Sequence, residues 1–223
     1  MITRRTLLSG MGSAAMLAQL PTRAWATSPA KPLQMPPLVD ATNSGRFALT
    51  AQAGQMDFLG RGASKTWGFD QPFLGPTLRL HHQSETAAEV SNALDEAISV
   101  HWHGLVVPGD VDGGPHQLVQ PGQTWSPVLP VDQPPATVWY HSHTHGMTAR
   151  QVQMGLAGVL HLTDGQDDAR GLPTDYGVDD LTLVLQDRRF DQEGRNGGCA
   201  QRGGTPASSQ RVERPDLYPD PVR

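Results

Sequence analysis

The stretch from His101 to Met147 constrains this chain more than any other. It opens with His101-Trp102-His103-Gly104 and closes with His141-Ser142-His143-Thr144-His145-Gly146, so five of the nine histidines fall in two short runs. Successive side chains of a β-strand point to opposite faces, and residues i and i+2 share a face. The flanks read as strand: Ala97-Ile98-Ser99-Val100 precedes the first run and Ala136-Thr137-Val138-Trp139-Tyr140 the second, with the β-branched and aromatic residues that suit a pleated, half-buried surface. His101 and His103 therefore project together, as do His141 and His143, and adjacent strands would bring four imidazoles to one place. Neutral imidazole is a common ligand of copper, zinc, iron and nickel. A lone His-x-His arises by chance; its repetition after two strand-like runs identifies a metal site formed by His101, His103, His141 and His143. His145 continues the strand face towards solvent and stays outside the ligand set. Nothing in the sequence assigns a role to His81, His82 or His116.

The remainder of the pattern is short strands broken by Gly, Pro and Asp. Phe47, Leu49 and Ala51 alternate with polar or small residues, and strand signals recur at Lys65–Phe69, Thr77–Leu80, Trp125–Val131, Thr137–Tyr140, Gly158–Leu162 and Leu181–Gln186. Regular spacing of this kind predicts an all-β sandwich or barrel, and roughly 150 residues suffice for one such domain and its core. Ser84–Ala97 resists that reading. Its residues are good helix formers with an N-cap candidate at Ser84, but tertiary pairing often overrides propensity, and strand is the reading adopted for Ala88–Asn92.

Residues 1–26 read as a targeting segment. Thr3-Arg4-Arg5-Thr6-Leu7-Leu8 is a twin-arginine pattern, an apolar run follows to Leu20, and Ala24-Trp25-Ala26 fits a cleavage site. The apolar run is too short and too rich in Gly and Ser for a permanent membrane span, so the expected location is the periplasm, with no membrane association after cleavage. Loss of Arg4, Arg5 and Arg23 from 17 basic residues leaves 14 against 22 acidic ones, a formal charge of −8. That balance argues against nucleic acid or anionic lipid as partner and suits a protein that handles cations. A single cysteine, Cys199, excludes an intrachain disulfide. Residues 27–40 form a proline-rich lead-in, expected to be an extended linker.

Between the histidine runs, Val107-Pro108-Gly109-Asp110-Val111-Asp112-Gly113-Gly114-Pro115-His116 has loop composition. A loop pinned between two metal-bearing strands lies at the mouth of the site, where Asp112 is placed to exchange protons with a metal-bound water. Turn statistics equally favour Asp112 as a turn-former that caps its own backbone.

Several pieces now line up in order: Thr66-Trp67-Gly68-Phe69, Leu74-Gly75-Pro76-Thr77-Leu78-Arg79, His101-Trp102-His103-Gly104-Leu105, Asp112-Gly113-Gly114-Pro115, Val131-Asp132-Gln133-Pro134, Trp139-Tyr140-His141-Ser142-His143 and Arg150-Gln151-Val152-Gln153-Met154-Gly155-Leu156-Ala157-Gly158. Together with the signal segment, they resemble the N-terminal cupredoxin domain of a multicopper oxidase, above all the periplasmic copper-efflux (cuprous) oxidases. The resemblance covers about Ala41 to Phe190 and implies a single cupredoxin-like Greek-key sandwich at 41–190. It implies copper as cofactor, with His101 on the type 2 copper and His103, His141 and His143 on the type 3 pair. Histidines i and i+2, roughly 6.6–6.8 Å apart along a strand, can serve neighbouring metals of one cluster. In such oxidases a type 1 copper accepts electrons from Cu(I) or a phenol and the cluster reduces O₂ to water. Asp112 matches the family's acidic residue that helps move protons to oxygen.

The departures carry weight too. The family's remaining ligands come from a C-terminal domain with H-x-x-H-x-H and H-C-H runs, and this sequence has neither. Cys199 has no histidine neighbour, so it is no type 1 ligand. After Gln192-Glu193-Gly194-Arg195 comes a run rich in Gly, Arg, Pro, Ala and Ser, expected to be a disordered tail at 191–223 and to reflect a truncated or frameshifted oxidase that is inactive alone. Gln83 stands where the family usually has glycine. The expectation is an oxidase lacking its C-terminal domains, or supplying them through an oligomer. The alternative is a single-domain copper-binding cupredoxin without turnover. A cupredoxin-fold protein that assists cell division after losing its ligands is disfavoured, because all four histidines are present.

Overall fold

The computed structural model describes residues 33–193 and residue 195. The chain divides into two compact units, Met1–Gln34 and Met35–Arg223, and of the first only Leu33 and Gln34 are described. The twin-arginine segment at 1–26, the first part of the lead-in and most of the tail, Cys199 included, lie outside the described residues.

Alternation decides most of the elements. In β2 (Arg46–Met56) the side chains of Phe47, Leu49 and Ala51 are buried while Arg46 and Ala48 are exposed. The strand β5 (Ser84–Asn92) has the same period: Thr86, Ala88, Val90 and Asn92 are buried, Glu85, Ala87 and Glu89 exposed. The helix-forming composition of this segment is overridden by its period of two, which lets β5 pair with β2 on one side and with β7 (Thr124–Trp125) and β8 (Val128–Val131) on the other. The strand expected over Trp125–Val131 is split in two at Ser126-Pro127, and the Pro127 carbonyl is still bonded by the Ala88 N–H at 2.9 Å. Proline has no N–H to continue a ladder.

Two sheets result. One has the order β1 (Leu38–Asp40), β4 (Thr77–His81), β10 (Ala157–Thr163), β9 (Ala136–Ser142), β6 (Val100–His103), and the other the order β3 (Ser64–Phe69), β2, β5, β7. Neighbours are mostly non-sequential, as in the crossovers of a Greek-key sandwich. Leu49, Val90 and Leu129 of one sheet and Leu78, Leu80, Trp102, Tyr140 and Leu160 of the other form one core. Phe47 packs on Trp102 and Phe69 on Tyr140 across the sheets, at ring separations of 5.6 and 5.5 Å. Each such side chain stabilises by roughly 1.5–3 kcal/mol on full burial. The fold is the all-β sandwich that the strand spacing predicts, of the cupredoxin-like kind that the family resemblance implies.

Three expectations need correction. Leu38–Asp40, read as the end of a linker, pairs in parallel with β4. Leu181–Gln186, read as a strand, joins no sheet among the described residues; Leu183 and Leu185 are 61% and 94% exposed. Strand propensity is realised only where a neighbour offers an edge. This segment is instead held through Arg188, which donates to the Gln153 carbonyl at 2.6 Å and lies over the rings of Phe58 and Phe73. Finally, Thr148–Met154 forms a helix, α1, with no counterpart in the sequence reading. Good helix formers bracketed by Gly146 and Gly155 were the available signal.

Candidate metal centre

The two histidine runs meet because β6 and β9 are antiparallel neighbours. Their register pairs Val100 with Ser142, His101 with His141, Trp102 with Tyr140, and His103 with Trp139. Trp102 and Tyr140 point into the core, where both are fully buried, so the odd-numbered residues must face the other way. Tyr140 fixes this register from inside. Its hydroxyl donates to the Pro76 carbonyl at 2.8 Å, and Gly158 is glycine because any Cβ there would overlap the Tyr140 ring.

The imidazoles of His101, His103, His141 and His143 converge on that outward face. The His101 ring lies 5.4 Å from His103, 5.6 Å from His141 and 5.3 Å from His143. Ligand atoms of His101, His103 and His141 all lie within 4.8 Å of one another, and the His143 ring stacks 5.8 Å from that of His141.

Hydrogen bonds set the tautomers. A carbonyl oxygen only accepts, so the contact of His101 Nδ1 with the Asp112 carbonyl at 2.9 Å and of His141 Nδ1 with the Ser142 carbonyl at 2.8 Å both place the proton on Nδ1. In a neutral ring with its proton on Nδ1, Nε2 is the nitrogen that carries the lone pair. A ligating histidine commonly donates its other nitrogen to a carbonyl or carboxylate in this way. His141 Nε2 lies 3.2 Å from His103 Nδ1. Burial holds the His141 imidazole neutral, its pKa pushed down to about 4, and the neighbouring His101, His103 and His143 add to the effect. Neutral imidazole is the ligating form. His143 Nδ1 is buried without a hydrogen-bond partner, an arrangement that costs free energy unless something occupies it. Four converging imidazoles, one of them held neutral by burial and one with a buried ring nitrogen that has no partner, fit a transition-metal ion.

Asp112 reaches the site. Its carboxylate Oδ1 lies 3.3 Å from His101 Nδ1, alongside the backbone carbonyl contact. The loop can press this close because of Gly113, which is buried at φ +74° with its Cα against the Val100 carbonyl and the His101 backbone. No side chain fits there. His145 and His116 are exposed, outside the cluster. His81 is on β4, separated from β9 by β10, and its ring lies 5.2 Å from that of His82.

The sequence reading missed Trp139. It shares the face of His141 and is opposite His103 in register, and its ring stacks on the His141 imidazole at 4.0 Å and 25°. The i−2 spacing from His141 was the signal available.

Comparison with known proteins places this arrangement. The profile of the family described as "Multicopper oxidase" matches residues 50–167. The cell division protein FtsP of Yersinia pestis is 39% identical over 194 residues, 86% of this chain and 41% of that protein. The FtsP of Escherichia coli K12 is 35% identical, with the same coverage of both. The chain thus spans about 41% of the length of these curated relatives. Among solved structures, a laccase-like multicopper oxidase, CueO from Ochrobactrum sp., superposes with a TM-score of 0.68 at 45% identity, over 71% of this chain and 36% of that one. A multicopper oxidase from Pediococcus acidilactici gives 0.69 at 36% identity, over 74% and 36%. With a matching profile over more than half of its residues, a cupredoxin-like sandwich and a cluster of imidazoles on its outer face, this chain belongs to the multicopper oxidase family.

Proposed function

We propose that this chain supplies one histidine half of a copper centre in a periplasmic oxidase of the copper-efflux type, which oxidises Cu(I) or phenols and passes the electrons to O₂. The observation that carries the reading is the direct opposition of His101 and His141 across β6 and β9 with His103 and His143 on the same face. His101 would hold the type 2 copper, and His103, His141 and His143 the type 3 pair. Copper bound there would supply the one-electron redox chemistry that reduces O₂ to water. The chain's own residues orient the ligands: the Asp112 carbonyl and carboxylate keep the His101 proton on Nδ1, and the Ser142 carbonyl does the same for His141. The Asp112 carboxylate is also the group placed to take up or release a proton beside the cluster. The remaining ligands would come from protein beyond the described residues or from a partner chain.

A role in cell division, as named for the FtsP relatives, is the second reading, favoured by 39% identity over 86% of the chain. On this reading copper is not the working part, and histidine substitutions should leave the role intact.

The test is Cu(II) binding by equilibrium dialysis, with electron paramagnetic resonance of the loaded protein. Wild type should take up copper with nitrogen hyperfine structure, and His101→Ala and His141→Ala should each lose most of it. Uptake unaffected by either substitution would sink the assignment.

A further inference from the structure

Ser142 separates His141 from His143, and its side chain points to the opposite, fully buried side. There its hydroxyl donates to Oε1 of Gln151 on α1. Gln151 is 0% exposed. It spends both amide hydrogens on the segment that leads into β6: Nε2 donates to Glu96 Oε1 at 3.2 Å and to the Ala97 carbonyl at 3.0 Å. Arg150 of the same helix turn donates to that Glu96 oxygen at 2.5 Å and lies 4.8 Å over the Trp67 ring. One buried amide therefore bridges Ser142, at the end of β9 between His141 and His143, to the segment that leads into β6 and its His101 and His103.

The bridge lies where the regular β6–β9 register ends. The β6–β9 ladder ends at the pair Val100 and Ser142, so His143 is beyond its last register pair. What continues the connection is a 3.3 Å bond from His143 N–H to the Ser99 carbonyl and a 3.0 Å bond from Ser99 N–H to Thr144 Oγ1. Thr144 Oγ1 is in turn 3.3 Å from the Ser142 hydroxyl. A leucine or methionine would fill the volume of Gln151 with no polar group to satisfy, whereas a buried amide costs free energy unless every bond is made. Here oxygen and nitrogen are both bonded, and the amide has no freedom to turn.

We infer that Gln151 is a positioning residue for the metal: through Ser142 on one side and Glu96 and Ala97 on the other, it sets the separation of the two histidine pairs. The inference rests on the reading of the cluster as a copper centre, and groups behind the ligands typically change metal affinity by about ten- to a hundredfold.

The experiment compares the full chain with Gln151→Met, close in volume but unable to bridge, and with Leu129→Ala, a core truncation on β8 in the other sheet. Three quantities are measured: Cu(II) affinity by competition titration, the electron paramagnetic resonance spectrum of the loaded protein, and the imidazole nitrogen and proton resonances of the metal-free protein. Gln151→Met should weaken Cu(II) by about ten- to a hundredfold, change the spectrum and move the His141 and His143 ring resonances. Leu129→Ala should lower the melting temperature and leave affinity and spectrum as in wild type. Unchanged affinity and resonances in Gln151→Met would overturn the inference, as would an equal loss of affinity in Leu129→Ala. If wild type itself takes up no Cu(II), the copper reading falls; the metal-free resonances then judge Gln151 alone, and unmoved rings would refute its role.

Discussion

His103 and His141 differ in what holds them, although both face the same cluster. His103 is exposed, and its ring contacts are to His101, Trp139 and His141, whereas His141 is only 4% exposed and stacked on Trp139. Substitution of an exposed side chain costs little stability, commonly within about 0.5 kcal/mol. His103→Ala should therefore weaken copper at least about tenfold while the melting temperature stays near that of wild type. His145→Ala should change neither quantity, and equal copper losses from the two would disprove the ligand assignment. His141 also makes metal-free stability depend on pH. Burial lowers its pKa from 6.5 to about 4 in the folded chain, so between those values the unfolded chain binds the proton and the folded chain does not. Stability from this group is complete above pH 6.5 and is lost as the pH falls towards about 4. Urea unfolding of metal-free protein across that range should show the fall, and His141→Leu should make it shallower, the part that remains coming in the same way from His161, whose pKa burial also lowers.

At the scale of elements, two turns carry left-handed residues of opposite suitability. Gly113 at φ +74° presses on the Val100 carbonyl, and any Cβ would collide with it. Gly113→Ala should displace the loop that holds Asp112 against His101, destabilising by about 1–3 kcal/mol and weakening copper together with it. Gln83, between β4 and β5, adopts φ +65° with a side chain that pays a steric penalty there, while its N–H bonds the Val131 carbonyl at 3.2 Å. Gln83→Gly should stabilise by about 1 kcal/mol and leave copper binding alone, because the turn is at the far side of β10 from the cluster. Thermal melts of the two variants should move in opposite directions; a shared direction would mean that strain is not what governs these turns.

For the whole molecule, the donor set decides which copper chemistry is open to the 223-residue chain. Its one cysteine, Cys199, lies between Gly198 and Ala200 and has no histidine beside it in sequence, which argues against a blue type 1 site built by these residues alone. Copper-loaded protein should show no strong band near about 600 nm, where a Cys-thiolate copper site absorbs. If these residues hold no electron entry site of their own, O₂ consumption with Cu(I) or a phenol should stay at the level of His103→Ala. Sustained consumption abolished by that substitution would show instead that the chain is self-sufficient.

The sequence by itself determined the two histidine pairs, their shared face and the all-β class, because alternation of period two is a local property of extended chain. Phe47, Leu49 and Ala51 announce their burial in the same way. Only the tertiary structure decided that β6 lies beside β9 with His101 opposite His141, since register depends on Trp102 and Tyr140 packing into a core built from distant strands. It also decided that Ser84–Asn92 pairs while Leu181–Gln186 does not: a strand forms where a neighbouring edge accepts its hydrogen bonds, and no local pattern reveals whether that edge is there. Gln151 illustrates the same limit. Nothing within its own helix marks it out, because its partners Glu96, Ala97 and Ser142 come from elsewhere in the chain and meet it only once the sandwich has closed.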